Sequence, residues 1–299
     1  MGVIYNRNRK KALLFIPSGG LGPSVSAAFS YDKSSYNQGE ANPTPTITGT
    51  PGGTFSSDAG VVFVSTSTGE IDLSASTIAS HTIFYIVDGV QASQTIDITA
   101  VPYTSTSSFS FDGINDYFGI NPEVEFGPVS SISMWVKKAT ATGSGVILGG
   151  TNNYGYTLYL VNNKLYMWFA SLNNIYTGPT SGTNTLTTTD WVHLAVVRTT
   201  VTELGDTVEL YINGTSVYTN TDTRNKNELS VVNAIGRRNP FGANTANYFA
   251  GNIDEVSLWN TGLSSAAVTE IYNSGAPNSL TSLTNASSSN LKAWYKMGE

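Results

Sequence analysis

The 299-residue chain contains no cysteine. Disulfide scaffolds, thiolate zinc sites, iron–sulfur clusters and cysteine nucleophiles are therefore excluded. Charge is scarce too: Asp, Glu, Lys and Arg make up 12% of residues, against about 25% in ordinary globular chains. What charge there is leans acidic, with a net −6. A nucleic-acid binder needs a basic footprint to release phosphate counterions, so no nucleic-acid partner is expected. No apolar run approaches the ~20 residues of a membrane span, and no membrane insertion is expected. There are two histidines and no G-x-S-x-G motif, which removes the usual hydrolase signature. The glycine-rich stretch TGSGVILGG (142–150) lacks the Lys-Ser/Thr of a phosphate loop.

Hydrophobic residues reach 40% and aromatics 11%, enough to build a packed core. Ser, Thr, Asn and Gly stand where charged residues normally would, a composition suited to turn-rich β-structure with a neutral polar surface. Four of the 15 basic residues, Arg7, Arg9, Lys10 and Lys11, crowd into one short stretch, followed by Leu13, Leu14, Phe15 and Ile16. That apolar patch falls short of the roughly 7–15 residues of a signal-peptide core. Residues 1–25 are read either as an arm that anchors on an acidic partner surface through its basic and apolar residues or as an edge strand.

From residue 26 to 102, short β-like runs alternate with turn clusters. HTIFYIVDGV (81–90) carries the Asp88-Gly89 pair of a tight hairpin. Turns every ~8–12 residues predict a small β-sandwich. PYTSTSS (102–108) has linker composition, and residues 103–108 are taken as the linker. A second domain, 109–299, is dense in strands: SISMWVKK (131–138), YTLYLVNNKLYMWFA (156–170) around Asn162-Asn163, WVHLAVVRT (191–199) and TVELYINGTSVYT (207–219) around Asn213-Gly214. No helices alternate with these strands, so the sheets should be antiparallel and packed face to face. One helix is predicted, with Ser264 as N-cap, Leu263 and Val268 at staple spacing, an apolar stripe of Val268, Ile271 and Tyr272, and Gly275 as its end. It is expected to cover an open end of the sandwich. In GNIDEVSLWN (251–260) the apolar positions 253, 256 and 258 break strict alternation, which predicts a β-bulge near Asp254–Glu255.

The series FDGINDYF (111–118), ISMWVK (132–137), DWVHLAVVR (190–198), VELYINGT (208–215), AIGRR (234–238), FAGNIDEVSLWNTGLSSAAVTEIYNSG (249–275) and LKAWYKMGE (291–299) resembles the laminin-G-like, concanavalin A-like jelly roll. Through NPTPTITGTPGGTFS (42–56), STGEIDLSAST (67–77) and HTIFYIVDG (81–89), residues 26–101 resemble small immunoglobulin-like modules of large phage and bacterial surface proteins. The fold class expected is therefore all-β: an immunoglobulin-like β-sandwich followed by a concanavalin A-like jelly-roll sandwich with one short helix. In such a jelly roll the first and last strands are expected to pair, placing FDGINDYF beside LKAWYKMG.

Two readings attach to the acids. Asp112 and Asp116, with Asn115 between them, suit turn chemistry; alternatively they form a structural calcium site with Asp254, since related jelly rolls hold calcium and this cation takes six to eight oxygens. A glycosidase would need two carboxylates flanking one bond. The E-x-D-x-x-E strand motif of related glucanases is missing: GEIDLSA (69–75) has Ala75 in its third place, and sialidase boxes are absent too. No catalytic residue is assigned. His193, in a strand apolar on both faces, reads as a satisfied core histidine. Saccharide binding uses aromatic faces with a few placed polar groups. The loop candidates are Tyr154, Tyr156, Tyr176, Arg237, Arg238, Asn239 and Tyr248.

The pairing of domains, the missing cysteine and the low charge lead to the expectation of a non-enzymatic phage virion-surface protein. It would be part of capsid decoration or tail, anchored to other virion proteins, self-associating, and able to bind host-surface glycans. A bacterial surface lectin or adhesion module is the alternative, and a polysaccharide-degrading enzyme a third.

Overall fold

The computed structural model describes residues 24–150, 156–169, 175–177, 185–200, 206–222, 230–238 and 247–298. The arm residues Arg7, Arg9, Lys10, Lys11, Leu13, Leu14, Phe15 and Ile16 lie outside them. The chain divides into two compact units, Met1–Pro102 and Tyr103–Glu299.

The described part of the first unit is built from β1 (Phe29–Ser30), β2 (Ser35–Asn37), β3 (Thr46–Ile47), β4 (Thr54–Ser57), β5 (Val62–Ser65), β6 (Glu70–Asp72), β7 (Ala79–Val87) and β8 (Val90–Thr99). A four-stranded sheet runs β2-β8-β7-β4, and two small ladders pair β1 with β3 and β5 with β6. Strand β7 buries alternate residues, His81, Ile83, Tyr85 and Val87, the period-2 signature of a half-buried strand. Its hairpin to β8 turns on Asp88 (φ 48°) and Gly89 (φ 81°), two positive angles in succession that select Asp-Gly. The core gathers Phe55 and Tyr85 at 4.7 Å between ring centroids, with Phe29 edge-on to Phe55.

The second unit contains β9 (Phe109–Asp112), β10 (Phe118–Phe126), β11 (Ser130–Lys138), β12 (Gly145–Gly149), β13 (Tyr156–Val161), β14 (Lys164–Phe169), β15 (Ile175–Thr177), β16 (Val192–Thr200), β17 (Asp206–Ile212), β18 (Thr215–Asp222), β19 (Ser230–Ile235), β20 (Ala250–Trp259), α1 (Ser265–Tyr272) and β21 (Leu291–Tyr295). One sheet runs β10-β19-β12-β13-β14-β15; the other runs β18-β17-β16-β11-β20-β21, with β9 also on β20. Between them lies the main core, where Ile132, Met134, Leu194, Val196 and Leu210 meet Leu158, Leu165, Met167 and Val232. The result is an all-β sandwich. The predicted hairpin turns at Asn162-Asn163 (φ 50° and 68°) and Asn213-Gly214 (φ 50° and 74°) are in place.

The first and last strands do not pair with each other. Both lie on β20: Ala250–Ile253 pair with β9, and Val256–Trp259 with β21. The opposite edge of β20 pairs with β11, so β9 and β21 share one edge end to end. Each is too short to span the ten residues of β20. Where the two would meet, β20 carries the predicted bulge: its register against β11 shifts between Ser133 and Trp135, and Glu255 takes φ 53°. Residues 103–108 run over this bulge. Tyr103 Oη donates to Glu255 Oε1 at 2.6 Å and Ser105 Oγ to Asp254 Oδ2 at 2.6 Å. From the other side Trp294 Nε1 donates to Glu255 Oε2 at 2.6 Å.

The helix caps as expected at its start, with Ser264 Oγ accepting from the Ala267 N–H at 3.1 Å. It ends earlier than predicted, on Asn273 in the left-handed conformation and not on Gly275; Asn tolerates that conformation almost as Gly does. Nor does it cover an open end. Ala267, Val268 and Ile271 pack with Ala195, Val197, Tyr211 and Trp259. Those positions alternate with the core-facing Leu194, Val196, Leu210 and Leu258, so α1 covers the outer face of the seven-stranded sheet. Ser264→Ala should cost about 1 kcal/mol, typical of a lost N-cap. The check is the urea midpoint followed by tryptophan fluorescence, which reports this unit alone because Trp135, Trp168, Trp191, Trp259 and Trp294 all belong to it.

Candidate functional site: a tyrosine-flanked arginine beside a strand bulge

Strands β10 and β19 pair at Phe118–Gly119 with Ala234–Ile235, and again at Val124–Phe126 with Ser230–Val232. Between the two stretches, residues 120–123 of β10 stand against the single residue Asn233 of β19. Four residues opposite one must arch away, and the space left is a pocket of about 570 Å³ bounded by Tyr117, Asn121, Glu123, Asn233 and Arg237. Asn233 is 6% exposed, and its Oδ1 has no hydrogen-bond partner. A buried carbonyl left unpaired costs on the order of 1–3 kcal/mol and is uncommon in folded proteins.

Arg237 enters the pocket because of two glycines. Gly236 turns the chain out of β19 at φ 86°, where a Cβ would approach Phe111 to 2.6 Å. A Cβ on Gly149 would lie 2.4 Å from the Arg237 carbonyl oxygen, so only Gly admits this backbone alongside β12. The guanidinium carbon sits 4.2 Å from the Tyr117 ring centroid and 5.7 Å from that of Tyr248, both within cation–π range. Its Nε donates to the Arg238 carbonyl at 3.0 Å, and Nη1 reaches Tyr248 Oη at 3.5 Å. Arg237 is 8% exposed. The ion pairs among the described residues are Lys33–Glu40 and Asp58–His81; none involves Arg237, and Glu123 lies beyond ion-pair distance of it.

The sequence-predicted binding residues scatter accordingly. Arg237 and Tyr248 come together, and Arg238 contributes its carbonyl. Tyr156 does not belong with them: it is fully buried in the sandwich core, its hydroxyl 2.9 Å from Ser130 Oγ, and offers no face to a ligand. Its position after NNYG looks like loop, yet it opens β13 on the inward side. Tyr176 lies on β15, its side chain outside the described set; Tyr154 and Asn239 are outside it altogether. Tyr117, Asn121, Glu123 and Asn233 were missed. Asn233 left a trace, since a polar residue inside SVVNAI needs a partner or a role.

The acids separate as well. Asp112 Oδ1 accepts from the Ile114 and Asn115 N–H groups at 2.7 and 3.1 Å, and Asp116 Oδ2 accepts from the Asp112 N–H at 3.1 Å. These bonds, Ile114 first, hold the Asp112 carboxyl below the usual range, and they are the turn chemistry of a β9–β10 crossover. Asp254 is not brought to them. Asp112 pairs with Ala250, which puts Asp254 four residues further along β20, about 13 Å away at ~3.3 Å per residue. Among the described residues no three acidic or histidine side chains form a metal cluster. Asp254 faces a smaller groove of about 300 Å³ with Trp135, Trp191 and Ser105. Its carboxylate there already accepts from Ser105 Oγ and the Glu255 N–H.

Two packed antiparallel sheets form an all-β jelly-roll sandwich, with an arginine pocket at the margin of one sheet. The model of the concanavalin A-like lectin/glucanases superfamily matches residues 111–269, more than half of the chain. The chain belongs to that superfamily. Among solved structures it is similar to a candidate carbohydrate-binding protein from Bacteroides ovatus, at 13% identity and TM-score 0.55, over 90% of this chain and 88% of that one. Weaker likenesses include domain 4 of an extracellular arabinanase from Geobacillus stearothermophilus, solved with arabinotriose (17% identity, TM-score 0.38, 67% and 84% covered). Another is the receptor-binding domain of a botulinum neurotoxin C/D mosaic (15% identity, TM-score 0.40, 59% and 45% covered). At these identities the likeness is one of fold. No curated protein matches the chain.

Proposed function

We propose that the chain is a non-enzymatic, surface-exposed carbohydrate-binding module whose second unit holds a saccharide in the Arg237 pocket. The observation that carries this is the unpartnered Asn233 carbonyl beside an arginine flanked by two tyrosine rings. Aromatic faces suit sugar C–H surfaces, and a buried carbonyl and guanidinium suit hydroxyls. The superfamily and the similar Bacteroides ovatus fold support the reading. Glycan-array screening of the full chain should give selective signals, and Asn233→Ala should weaken them at least several-fold with the fold intact. No signal on a broad array would sink the proposal.

The setting follows from the first unit and the arm. A small aromatic-cored β-unit, read as an immunoglobulin-like spacer, precedes the lectin unit, and the basic-then-apolar segment Arg7–Ile16 precedes both. This suits attachment to a virion surface through the arm, with self-association; the same two units would also serve a bacterial adhesion module. Particles assembled with a chain lacking residues 1–20 decide between them: loss of the protein from particles supports virion anchoring, and a native location on cells supports adhesion.

A further inference from the structure

Arg237 carries five N–H donors in a rigid planar fork. Two are accounted for, by the Arg238 carbonyl and, more loosely, by Tyr248 Oη. The Tyr117 and Tyr248 ring centroids lie 4.2 and 5.7 Å from the guanidinium carbon, and among the described residues no protein acceptor takes the remaining donors. Almost the whole side chain is out of water, and among the described residues it has no carboxylate partner. A buried cation without a counter-ion is costly, and a carboxylate or sulfate presented to its edge relieves that cost with two parallel charge-assisted bonds. Asn233 Oδ1, in the same pocket, asks for the opposite: a hydroxyl or amide donor. The ligand must therefore bring an oxyanion and a donor within one small unit. Glu123, at the exposed lip of the pocket, argues against a bare or highly charged anion and for a single charge carried on a polyhydroxylated body.

Resting on the carbohydrate-binding reading, we propose that this pocket is selective for acidic saccharides. The carboxylate or sulfate of one residue would dock on the Arg237 edge, and a hydroxyl of the same residue would donate to Asn233 Oδ1. Neutral sugars would leave the guanidinium unpaired, and a site built for a charge-assisted bond discriminates against analogues that lack the charge.

The test is binding of the full-length chain to an array holding carboxylated, sulfated and neutral glycans, with the strongest hits measured by calorimetry. Signals should concentrate on carboxylated or sulfated glycans and exceed their neutral counterparts at least tenfold. Arg237→Gln should abolish that preference, and Arg237→Lys, which keeps the charge but loses the fork, should reduce it about threefold and leave part of it. Asn233→Ala keeps the cation and should weaken acidic and neutral glycans alike, which serves as a second measure if the arginine variants fold poorly. Neutral glycans bound as tightly as acidic ones, or an acidic preference unchanged in Arg237→Gln, would overturn this inference and leave carbohydrate binding standing. Silence on every glycan class would overturn both.

Discussion

Acidification from pH 6.5 to 4.5 should remove roughly 2 kcal/mol from the second unit through one residue, His193. It is fully buried on the outer face of the seven-stranded sheet, its ring 5.4 Å from Trp135 and 6.0 Å from Tyr272. Nε2 shares a hydrogen bond with Ser133 Oγ at 2.8 Å, and Nδ1 has no partner. Burial pushes its pKa down to about 3, against about 6.5 in an unfolded chain. Below pH 6.5 the unfolded chain takes up a proton that the folded unit refuses, so stability falls with pH, by about 1.4 kcal/mol per unit, until the folded pKa is reached. Urea titrations at several pH values, read by tryptophan fluorescence, should show this slope. His193→Phe keeps a ring between Trp135 and Tyr272 and cannot titrate. Its slope between pH 6.5 and 4.5 should be shallower by nearly one proton, and an unchanged slope would refute the assignment.

The other histidine behaves in the opposite sense. Burial alone would lower the His81 pKa, but the Thr77 carbonyl and the Asp58 carboxylate, each 2.9 Å from a ring nitrogen, more than offset it and raise the pKa above the ordinary value. Its stabilising effect on the first unit is complete below pH 6.5 and is lost as pH rises through the folded value. In sequence both residues are histidines of apolar strands. Which one meets a carboxylate is decided by Asp58, 23 residues away, and that distance is what the sequence does not express.

The same boundary divides the rest of the fold. Features written within a few residues were legible: the turns at Asp88-Gly89, Asn162-Asn163 and Asn213-Gly214, the Ser264 cap, and the break of alternation at Asp254–Glu255. Turn chemistry and side-chain period are local properties. Pairings were not. That β9 and β21 would divide one edge of β20 depends on how far each strand reaches, a result of the whole sandwich closing. The pocket shows both sides. Arg237 and Tyr248 were found because a loop rich in Arg, Asn and aromatics is visible in the sequence. Tyr117 and Asn233 were not, because the four-against-one register of β10 on β19 exists only once the strands meet.

Glu255 should be among the most sensitive positions of the chain. It is 4% exposed, sits in the left-handed region at the bulge, and accepts from Tyr103 Oη and Trp294 Nε1 at 2.6 Å each. The Lys296 ammonium lies over both of those rings, 5.0 Å from Tyr103 and 4.3 Å from Trp294. A bond to a charged group contributes about 1.5–3 kcal/mol, so Glu255→Ala, which strands two donors, should cost at least about 3 kcal/mol. Glu255→Gly breaks the same two bonds but relieves the backbone, where a side chain costs about 1–2 kcal/mol, and should fall between Ala and the wild type. Glu255→Gln keeps an acceptor for Trp294 and offers an N–H to the Tyr103 oxygen, so it should be the mildest of the three. The order wild type, Gln, Gly, Ala in urea midpoint separates the two contributions at the bulge. An Ala variant as stable as Gly would mean that the backbone stores no strain there. A Gln variant as damaging as Ala would mean that charge, and not hydrogen-bond geometry, joins residues 103–108 and β21 across the gap on the edge of β20.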